Sequence, residues 1–423
     1  MRKEHDFLGE KLVPDEVYYG VQTMRAKENF QITGAHLDPD FIKSMASVKK
    51  ASCLTNLKTG RMDKTIGEAI IQAADEIMDG KMLDQFPLDP IQGGAGTSIK
   101  VCLCHKAVAL TDALERLAEG FEEKGKEFQD VLKMGRTHLQ DAVPITLGEE
   151  MNAYASMVRR GMARITRSLE ALKDLNMGGT AVGTGLNAEP EYIKLFPYTL
   201  SEITGFRFET APNLIDSTNN TDCYAEVSSA LKVTALSLIK MANDIRLMAS
   251  GPRCGLNEIK LEARQPGSSI MPGKVNPVIA EVLDQTCYQV IGNDLAISMA
   301  VENGQLELNV MEPVIAFNIF NSFRVLTNAV NTYNEKLLKT MKANREQCQY
   351  WVDHSVGVIT ALLPHIGYEK CAATAREAYT TGEPVREIIL KKQLVTKEAM
   401  TRILSPYEMT HPGIAGGKDA LAK

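Results

Sequence analysis

The stretch Ile99-Lys-Val-Cys-Leu-Cys-His-Lys-Ala-Val-Ala-Leu110 opens the part of the chain that decides the fold. Apolar residues recur in it at spacings of three and four, which is the period of an α-helix with a buried face. The same period continues to Lys133 and returns later, and each stretch is broken by a cluster of Gly, Pro or Asn. The stretches with this pattern are Ile99–Lys133, Gly148–Leu175, Thr218–Ser250, Pro277–Asn303 and Glu312–Lys342.

These five stretches predict an all-α protein built on an elongated bundle of long helices. Helices of about 20 to 30 residues are about 30–45 Å long, and five of them fit a long antiparallel bundle. Each stretch is apolar on more than one face, so we expect helices of different subunits to pack together. Changes of pattern predict three domains: an N-terminal domain (1–98), the central bundle (99–343) and a small C-terminal helical domain (344–423).

Composition excludes several classes of function. The chain has 423 residues, of which 44% are hydrophobic and 24% charged, as is usual for a globular protein with a large core. Its net charge of −6 is spread without long runs of one sign, which argues against nucleic-acid or acidic-membrane partners. The first residues lack the apolar segment of a signal peptide, and no window is apolar enough to span a membrane. We therefore expect a cytoplasmic protein.

The eight cysteines are scattered and do not form the pattern of a disulfide framework. Cys102-Leu-Cys104-His105 has a spacing that invites comparison with metal sites. However, it stands inside the first predicted bundle helix, and no second cluster of ligands lies near it in the sequence. We interpret it as part of a core helix.

A second segment, Gly267-Ser-Ser-Ile-Met-Pro-Gly-Lys-Val-Asn-Pro277, carries the candidate chemistry. Its glycines and prolines disfavour helix and strand, so it predicts an ordered loop. Ser268 offers a base or nucleophile, Lys274 a cation for a carboxylate, and Asn276 an amide donor. For a loop of this composition taken alone, a polar surface connection is the alternative.

This loop resembles, almost letter for letter, the signature loop of the aspartase/fumarase superfamily. Members of that superfamily eliminate ammonia, water or an amine from succinate-type substrates and release fumarate. The resemblance implies a homotetramer in which four bundles form a twenty-helix core and active sites are shared between subunits. Four further segments carry it: Tyr18-Tyr-Gly-Val-Gln-Thr-Met-Arg25, Gln92-Gly-Gly-Ala-Gly-Thr-Ser98, Gly135-Arg-Thr-His-Leu-Gln-Asp-Ala142 and Gly178-Gly-Thr-Ala-Val-Gly-Thr-Gly185.

Such an elimination needs a base, donors that stabilise an enediolate on one carboxylate, and a clamp on the second carboxylate. The resemblance implies that Ser268 is the base, acting as an alkoxide stabilised by backbone amides. It implies that Lys274 and Asn276 anchor a substrate carboxylate. Further members of the site implied by the resemblance are the substrate contacts Thr97, Thr137 and His138 and the loop positions Gly267, Ser269, Met271 and Gly273.

Taken alone, a single histidine or a Gly-rich turn more often has a structural role. The functional assignment of His138 and Thr97 therefore depends on the motifs around them. Arg25 is a candidate for a supporting role beside the site or at a subunit contact. The chemistry requires no cofactor and no resident metal, and activation by a divalent cation stays open.

The sequence departs from the superfamily pattern between Ser98 and Ile99. A His-Pro-Asn-Asp-His stretch and a Ser-x-Ser-Thr-Asn-Asp strip that contacts substrate are both absent there. Either the natural chain has a block that this sequence omits, so that Ser98 and Ile99 are not joined, or the block is deleted and the protein is an inactive scaffold. We favour the first explanation, because nothing near the junction compensates for the loss.

Several details favour elimination of ammonia from L-aspartate over hydration of fumarate, which is the alternative within the superfamily. Tyr18-Tyr-Gly-Val and Gln265 before Pro-Gly-Ser-Ser both resemble the ammonia-eliminating members. Other segments favour the same reading: Asn257, Pro277-Val-Ile-Ala-Glu281 and Met311-Glu-Pro-Val-Ile-Ala-Phe-Asn318.

Overall fold

The computed structural model describes residues 1–93 and 98–417. Helices dominate it, and the prediction of an all-α fold is confirmed. The helices are α1 (Val21–Asn29), α2 (Pro39–Lys58), α3 (Lys64–Met78), α4 (Ile99–Glu127), α5 (Leu147–Ser168), α6 (Pro190–Thr204), α7 (Leu214–Asn219), α8 (Asp222–Met248), α9 (Val278–Glu302), α10 (Glu312–Tyr333), α11 (Arg345–His354), α12 (Leu363–Ile366), α13 (Tyr368–Thr381), α14 (Val385–Lys391), α15 (Lys397–Ile403) and α16 (Pro406–Thr410).

Short strands lie before and between the helices along the chain and form two-stranded sheets. Three of the pairs are antiparallel, and the pair of β5 and β6 is parallel. The pairs are β1 (Arg2–Asp6) with β2 (Gly9–Val13), β3 (Leu132–Thr137) with β4 (Gln140–Thr146), β5 (Asp174–Leu175) with β6 (Glu209–Thr210), and β7 (Ile259–Lys260) with β8 (Lys342–Ala343).

Each of the five apolar stretches contains one long helix, so the predicted long helices are confirmed. They are α4, α5, α8, α9 and α10, of 22 to 29 residues. Burial follows the predicted period: on α4, Leu103, Ala107 and Leu110 are fully buried. Cys102 is also fully buried, and Cys104 is nearly so. The interpretation of Cys102-Leu-Cys104 as part of a core helix is therefore confirmed.

The chain forms two compact units, and each of the five long helices contributes to both. The first unit comprises Met1–Leu114, Arg160–Ser237 and Gln285–Ala329. The second comprises Glu115–Arg159, Leu238–Asp284 and Val330–Lys423. The three-domain division at 98/99 and 343/344 stays a prediction.

In the first unit, α2 packs against α3 and α6. Helix α2 starts in the way its sequence predicts, because Asp38 caps it by accepting a hydrogen bond from the Asp40 amide, and Pro39 occupies its first turn. Lys106 of α4 is buried and pairs with Asp38 at 3.0 Å and Asp40 at 2.9 Å. These ion pairs tie the start of α2 to the first third of α4.

In the second unit, the C-terminal helices share an apolar core that includes Val352, Ile388 and Ile403. Leu132, at the start of β3, belongs to the same core. Strand β3 contacts α11, and β4 contacts α16. The base of the β3–β4 hairpin is therefore fixed by hydrophobic packing.

Ser98 directly precedes the first residue of α4, and the block expected between Ser98 and Ile99 stays a prediction. Helix α4 begins at Ile99, both residues are buried, and the Cys102 amide lies 3.5 Å from the Ser98 carbonyl oxygen, to which it donates. Ser98 thus supplies the first acceptor of the helix.

Across residues 1–93 and 98–417, no helix is both long and apolar enough to cross a membrane. Within the same ranges, no group of three or more His, Cys, Asp or Glu side chains is placed to hold a metal ion.

Candidate active site

The signature loop, residues 267–277, lies between β7 and α9 and closes on itself through hydrogen bonds. The Gly267 amide donates to the Lys274 carbonyl at 2.7 Å, and the Asn276 side-chain amide donates to the Gly267 carbonyl at 3.1 Å. A Cβ at Gly267 would lie 2.6 Å from the Lys274 carbonyl oxygen, so this position requires glycine. Gly273 has a φ of 83°, which also favours glycine. The prediction of a loop is confirmed.

Ser268 has the surroundings that an activated hydroxyl needs. Its Oγ accepts hydrogen bonds from the backbone amides of Ile270 and Met271, each at 3.2 Å. Two donors directed at one oxygen stabilise negative charge there. Ser268 is half-buried, whereas its neighbour Ser269 is exposed. Ser268 is therefore the hydroxyl of this loop that is better placed to carry charge.

Lys274 brings a positive charge to the same loop. Its backbone amide donates to the Met271 carbonyl at 3.2 Å, and its side chain is exposed. Among the residues that the structure describes, no carboxylate pairs with its ammonium group. The loop thus combines Ser268, Lys274 and Asn276 in one hydrogen-bonded unit, and the ammonium group is available to a ligand.

Thr137 and His138 lie at the tip of the β3–β4 hairpin in the same unit. Thr137 pairs with Gln140, so His138 and Leu139 form a two-residue turn, with φ of 54° and 61°. Positive φ at both positions is the geometry of a tight hairpin turn whose twist matches its strands. Thr137 and His138 are exposed, and no hydrogen bond between described residues joins either to the signature loop. Thr97 lies outside the described residues.

Arg25 lies in the first unit. Its guanidinium donates to both carboxylate oxygens of Asp6, at 2.9 and 3.0 Å, and to the Gly9 carbonyl at 3.0 Å. These contacts secure α1 to the β1–β2 hairpin. Within this unit Arg25 therefore has a structural contact, and a role at a subunit contact stays a prediction.

A cavity of about 700 Å³ lies in the first unit beside the junction between Ser98 and Ile99. Gln92 and Gly93 line it from one side of the junction and Ile99 from the other, with Phe86 and Phe320 among its apolar walls. Contact between these apolar walls and water is unfavourable, so the cavity favours occupation by apolar side chains.

The sequence reasoning missed a group of buried charges below the β3–β4 hairpin. Lys133 and Arg136 of β3 meet Glu150 of α5 and Glu258 before β7. Arg136 stood in a segment that carried the family resemblance, and Glu258 directly follows Asn257, which favoured the ammonia-eliminating members. Lys133, at the end of the apolar stretch Ile99–Lys133, was the available signal, but its partner Glu258 lies more than 100 positions away.

Comparison with known proteins identifies the family. A profile described as "Lyase" matches residues 9–103 and 96–292, and a profile described as "Fumarase C C-terminus" matches residues 358–411. The chain belongs to the lyase family of the aspartase/fumarase superfamily.

Curated relatives of this lyase family match the chain over nearly its whole length. Aspartate ammonia-lyase of a Bacillus species is 50% identical, with 99% of each chain covered. Aspartate ammonia-lyase of Bacillus subtilis is 48% identical, over 100% of this chain and 98% of the relative. The Escherichia coli K12 protein of the same name is 41% identical, over 97% and 96%.

Two solved structures of the superfamily share this fold. Fumarate lyase:delta crystallin from Brucella melitensis, bound to cobalt, superposes with a TM-score of 0.94 at 39% identity, covering 97% of this chain and 100% of that chain. Recombinant class II fumarase from Schistosoma mansoni superposes with a TM-score of 0.91 at 32% identity, covering 97% and 99%.

The comparisons also locate the interruption of the family pattern. The alignment with the Bacillus relative spans 464 positions, whereas this chain has 423 residues, so the relative has residues without a counterpart here. The two segments matched by the lyase profile meet at residues 96–103. The profile match is thus broken within residues 96–103, the range that contains Ser98 and Ile99.

Proposed function

We propose that the protein is an aspartate ammonia-lyase, which removes ammonia reversibly from L-aspartate and releases fumarate. The observation that carries the proposal is the signature loop. It holds the Ser268 hydroxyl against two backbone amides and, on the same loop, presents Lys274 without a carboxylate partner among the described residues. Relatives that bear this name, at 41–50% identity over nearly the full length, support it.

In the proposed reaction Ser268, as an alkoxide, takes a proton from the β carbon of aspartate. The electron pair of the broken C–H bond moves into the adjacent carboxylate, which becomes an enediolate. When this intermediate collapses, the pair forms the C=C bond of fumarate, and the C–N bond breaks to release ammonia. The amides of Ile270 and Met271 stabilise the alkoxide before it takes the proton.

The remaining predicted residues bind the two carboxylates. Lys274 provides the charge and Asn276 a directional donor for one of them. Thr97, Thr137 and His138 complete the set of donors. No step requires a cofactor, and a divalent cation would act only as an activator.

We further propose a homotetramer with active sites shared between subunits. On α9, within the first unit, Tyr288, Leu295 and Met299 are 54%, 63% and 56% exposed. Together with Gly292 they follow the spacing of three and four residues that marks one face of a helix. An exposed apolar helix face of this length suits a second copy of the same chain. The exposed hairpin tip, which lacks a hydrogen bond to the signature loop, fits a site completed by another subunit.

The first alternative is a fumarate hydratase of the same fold, as the Schistosoma mansoni structure illustrates. The second is an inactive scaffold, which is expected if the block missing between Ser98 and Ile99 is deleted from the natural chain. In each case we expect a cytoplasmic protein.

Ultraviolet absorbance of fumarate distinguishes these possibilities. The 423-residue protein is incubated with L-aspartate and, separately, with L-malate, with and without added Mg²⁺. Fumarate from aspartate alone supports the ammonia-lyase, and fumarate from malate supports the hydratase. A folded protein that is silent with both substrates would favour the scaffold.

A further inference from the structure

Four charged side chains lie below the β3–β4 hairpin of the second unit, and we call them the hairpin charge cluster. They are Lys133, Arg136, Glu150 and Glu258. The side chain of Glu258 is 0% exposed and that of Lys133 is 5% exposed. The two cations and the two carboxylates of the cluster balance one another, which makes their burial tolerable. Arg136 also lies 3.9 Å from the exposed carboxylate of Asp141 on β4.

Glu258 lies between the two cations of β3. Arg136 donates through Nη1 to one carboxylate oxygen at 2.6 Å, and Nζ of Lys133 lies 3.3 Å from the other. Lys133 also lies 3.0 Å from Glu150. Burial alone would lower the pKa of Lys133, but Glu150 and Glu258 more than offset this effect and raise the pKa. Lys133 therefore keeps its charge across the neutral range.

The backbone of Glu258 is held independently of the hairpin. Its amide donates to the Met248 carbonyl at 2.8 Å, and its carbonyl accepts from the Asn344 amide at 2.8 Å. The buried thiol of Cys348 lies 3.4 Å from the same carbonyl oxygen, within its range as a donor. The backbone of Glu258 is thus held in place by these bonds. Its carboxylate, through its ion pairs with Arg136 and Lys133, attaches β3 to this backbone.

Arg136 and Glu258, the two residues joined by this ion pair, are each close in sequence to predicted site residues. Arg136 directly precedes Thr137 and His138 at the hairpin tip. Glu258 directly precedes β7, from which the chain continues to Ser268. On that path Arg264 donates to the Lys336 carbonyl at 2.8 Å, which holds the segment before the signature loop.

We propose that Glu258 is a positioning residue: through Arg136 and Lys133 it fixes the orientation of the hairpin tip that presents Thr137 and His138 to the substrate. The inference rests on the proposed function, because that function assigns substrate contacts to the tip. The tip is an exposed two-residue turn, so its orientation depends on the strand below it. Displacement of a contact group by about 1 Å can reduce a rate about 100-fold.

Glu258→Gln tests the proposal, because glutamine keeps the shape and an acceptor for Arg136 but removes the charge that holds both cations. We expect kcat per folded subunit to fall at least tenfold, with unchanged helix content and oligomeric state. Glu258→Asp, which keeps the charge, should retain more of the rate. Glu346→Gln is the matched control: Glu346 is exposed on α11 of the same unit, and no ion pair with another described residue involves it. Its kcat should stay within twofold of wild type.

Hydrogen exchange provides a readout that does not depend on activity. In Glu258→Gln, the amides of residues 135–141 should exchange at least tenfold faster, whereas those of α8 should not change. If the wild-type protein releases no fumarate, the proposed function fails, and hydrogen exchange alone still decides whether Glu258 orients the hairpin.

Two results would overturn the inference. One is wild-type kcat together with wild-type exchange at residues 135–141. The other is a fall in activity that matches the unfolded fraction measured by circular dichroism, since that indicates a role in stability alone. If Glu258→Gln does not fold, Arg136→Gln removes the same link from its more exposed end and is judged by the same criteria.

Discussion

The side-chain oxygen of Ser268 lies 3.2 Å from the backbone nitrogen of Met271 and accepts its hydrogen bond. Because an alanine at this position leaves no group to take the proton, Ser268→Ala should reduce kcat by about 10²–10⁴-fold or more. The Gly267–Lys274 and Asn276–Gly267 hydrogen bonds do not involve this hydroxyl, so the loop and the oligomer should persist. Fumarate absorbance and light scattering measure the two properties.

Ser269→Ala is the control for that substitution. Ser269 is its exposed neighbour, and no side-chain hydrogen bond to another described residue involves it. Its variant should keep kcat within a few fold of wild type. Comparable losses in both variants would assign the effect to the loop as a whole and would remove Ser268 as the base.

Lys274→Met should act mainly on substrate binding. Methionine keeps the length of the side chain but removes the charge that faces a substrate carboxylate. Charge-assisted hydrogen bonds contribute about 1.5–3 kcal/mol, so KM for L-aspartate should rise about 10- to 100-fold. Steady-state kinetics measure the change, with Lys260→Met, an exposed lysine of β7, as the control. An unchanged KM for Lys274→Met would refute the role as an anchor.

Asp89 should contribute stability that depends on pH. One of its carboxylate oxygens accepts hydrogen bonds from the amides of Ile32, Thr33 and Gly34 at 2.7–3.2 Å. Burial alone would raise the pKa of Asp89, but the hydrogen bonds from Ile91, Thr33 and Gly34 lower it below its ordinary value. Asp89→Asn removes the charge that these donors stabilise, so the free energy of unfolding should fall by about 1–3 kcal/mol at pH 7.

The sign of the pH effect follows from the lowered pKa. The ionised carboxylate stabilises the fold above its unfolded pKa of about 3.9, and this contribution is lost as the pH falls through the folded pKa. Urea unfolding of wild type and Asp89→Asn should therefore show a full difference at pH 7 that narrows below about pH 4. The exposed Asp84→Asn is the control. A difference that does not change on acidification would contradict this account.

Leu295→Lys should disrupt the proposed tetramer. Leu295 is 63% exposed on the apolar face of α9, where burial against a second copy would leave the introduced charge unpaired. Light scattering should show a smaller species, and activity should fall with it if sites are shared. Gln72→Lys, on the exposed side of α3, should leave the mass unchanged. A wild-type mass for Leu295→Lys would exclude this face from the interface.

The long helices could be predicted because their signal is local and repeats over many turns. Their ends were less accurate. The stretch Ile99–Lys133 was predicted as one helix, but α4 ends at Glu127 and Lys133 lies in β3. A Cβ at Gly148 would lie 2.4 Å from the Gly125 carbonyl, so the start of α5 packs closely on the end of α4. Such a contact between separate helices cannot be predicted from the spacing of apolar residues along one helix.

In the candidate site, too, local features could be predicted from the sequence and contacts between distant residues could not. The loop that holds Ser268 and Lys274 could be predicted, because its residues lie within eleven consecutive positions. The pair of Arg136 and Glu258 could not, since neither residue has a local feature that names its partner 122 positions away. Buried ion pairs depend on which elements meet in three dimensions, and a single sequence contains no direct record of that.

The junction between Ser98 and Ile99 leads to the last prediction. We expect that insertion, at this junction, of the residues that the Bacillus relative has without a counterpart here raises both Tm and the rate of fumarate release. The cavity of about 700 Å³ is lined by residues on both sides of the junction, so inserted apolar side chains can fill it. A Gly/Ser segment of equal length is the control, because it adds chain without adding apolar side chains. If the two insertions give the same Tm in thermal unfolding, the apolar side chains of the natural segment do not fill the cavity. If only the natural segment restores activity, the loss at the junction is what limits the 423-residue chain.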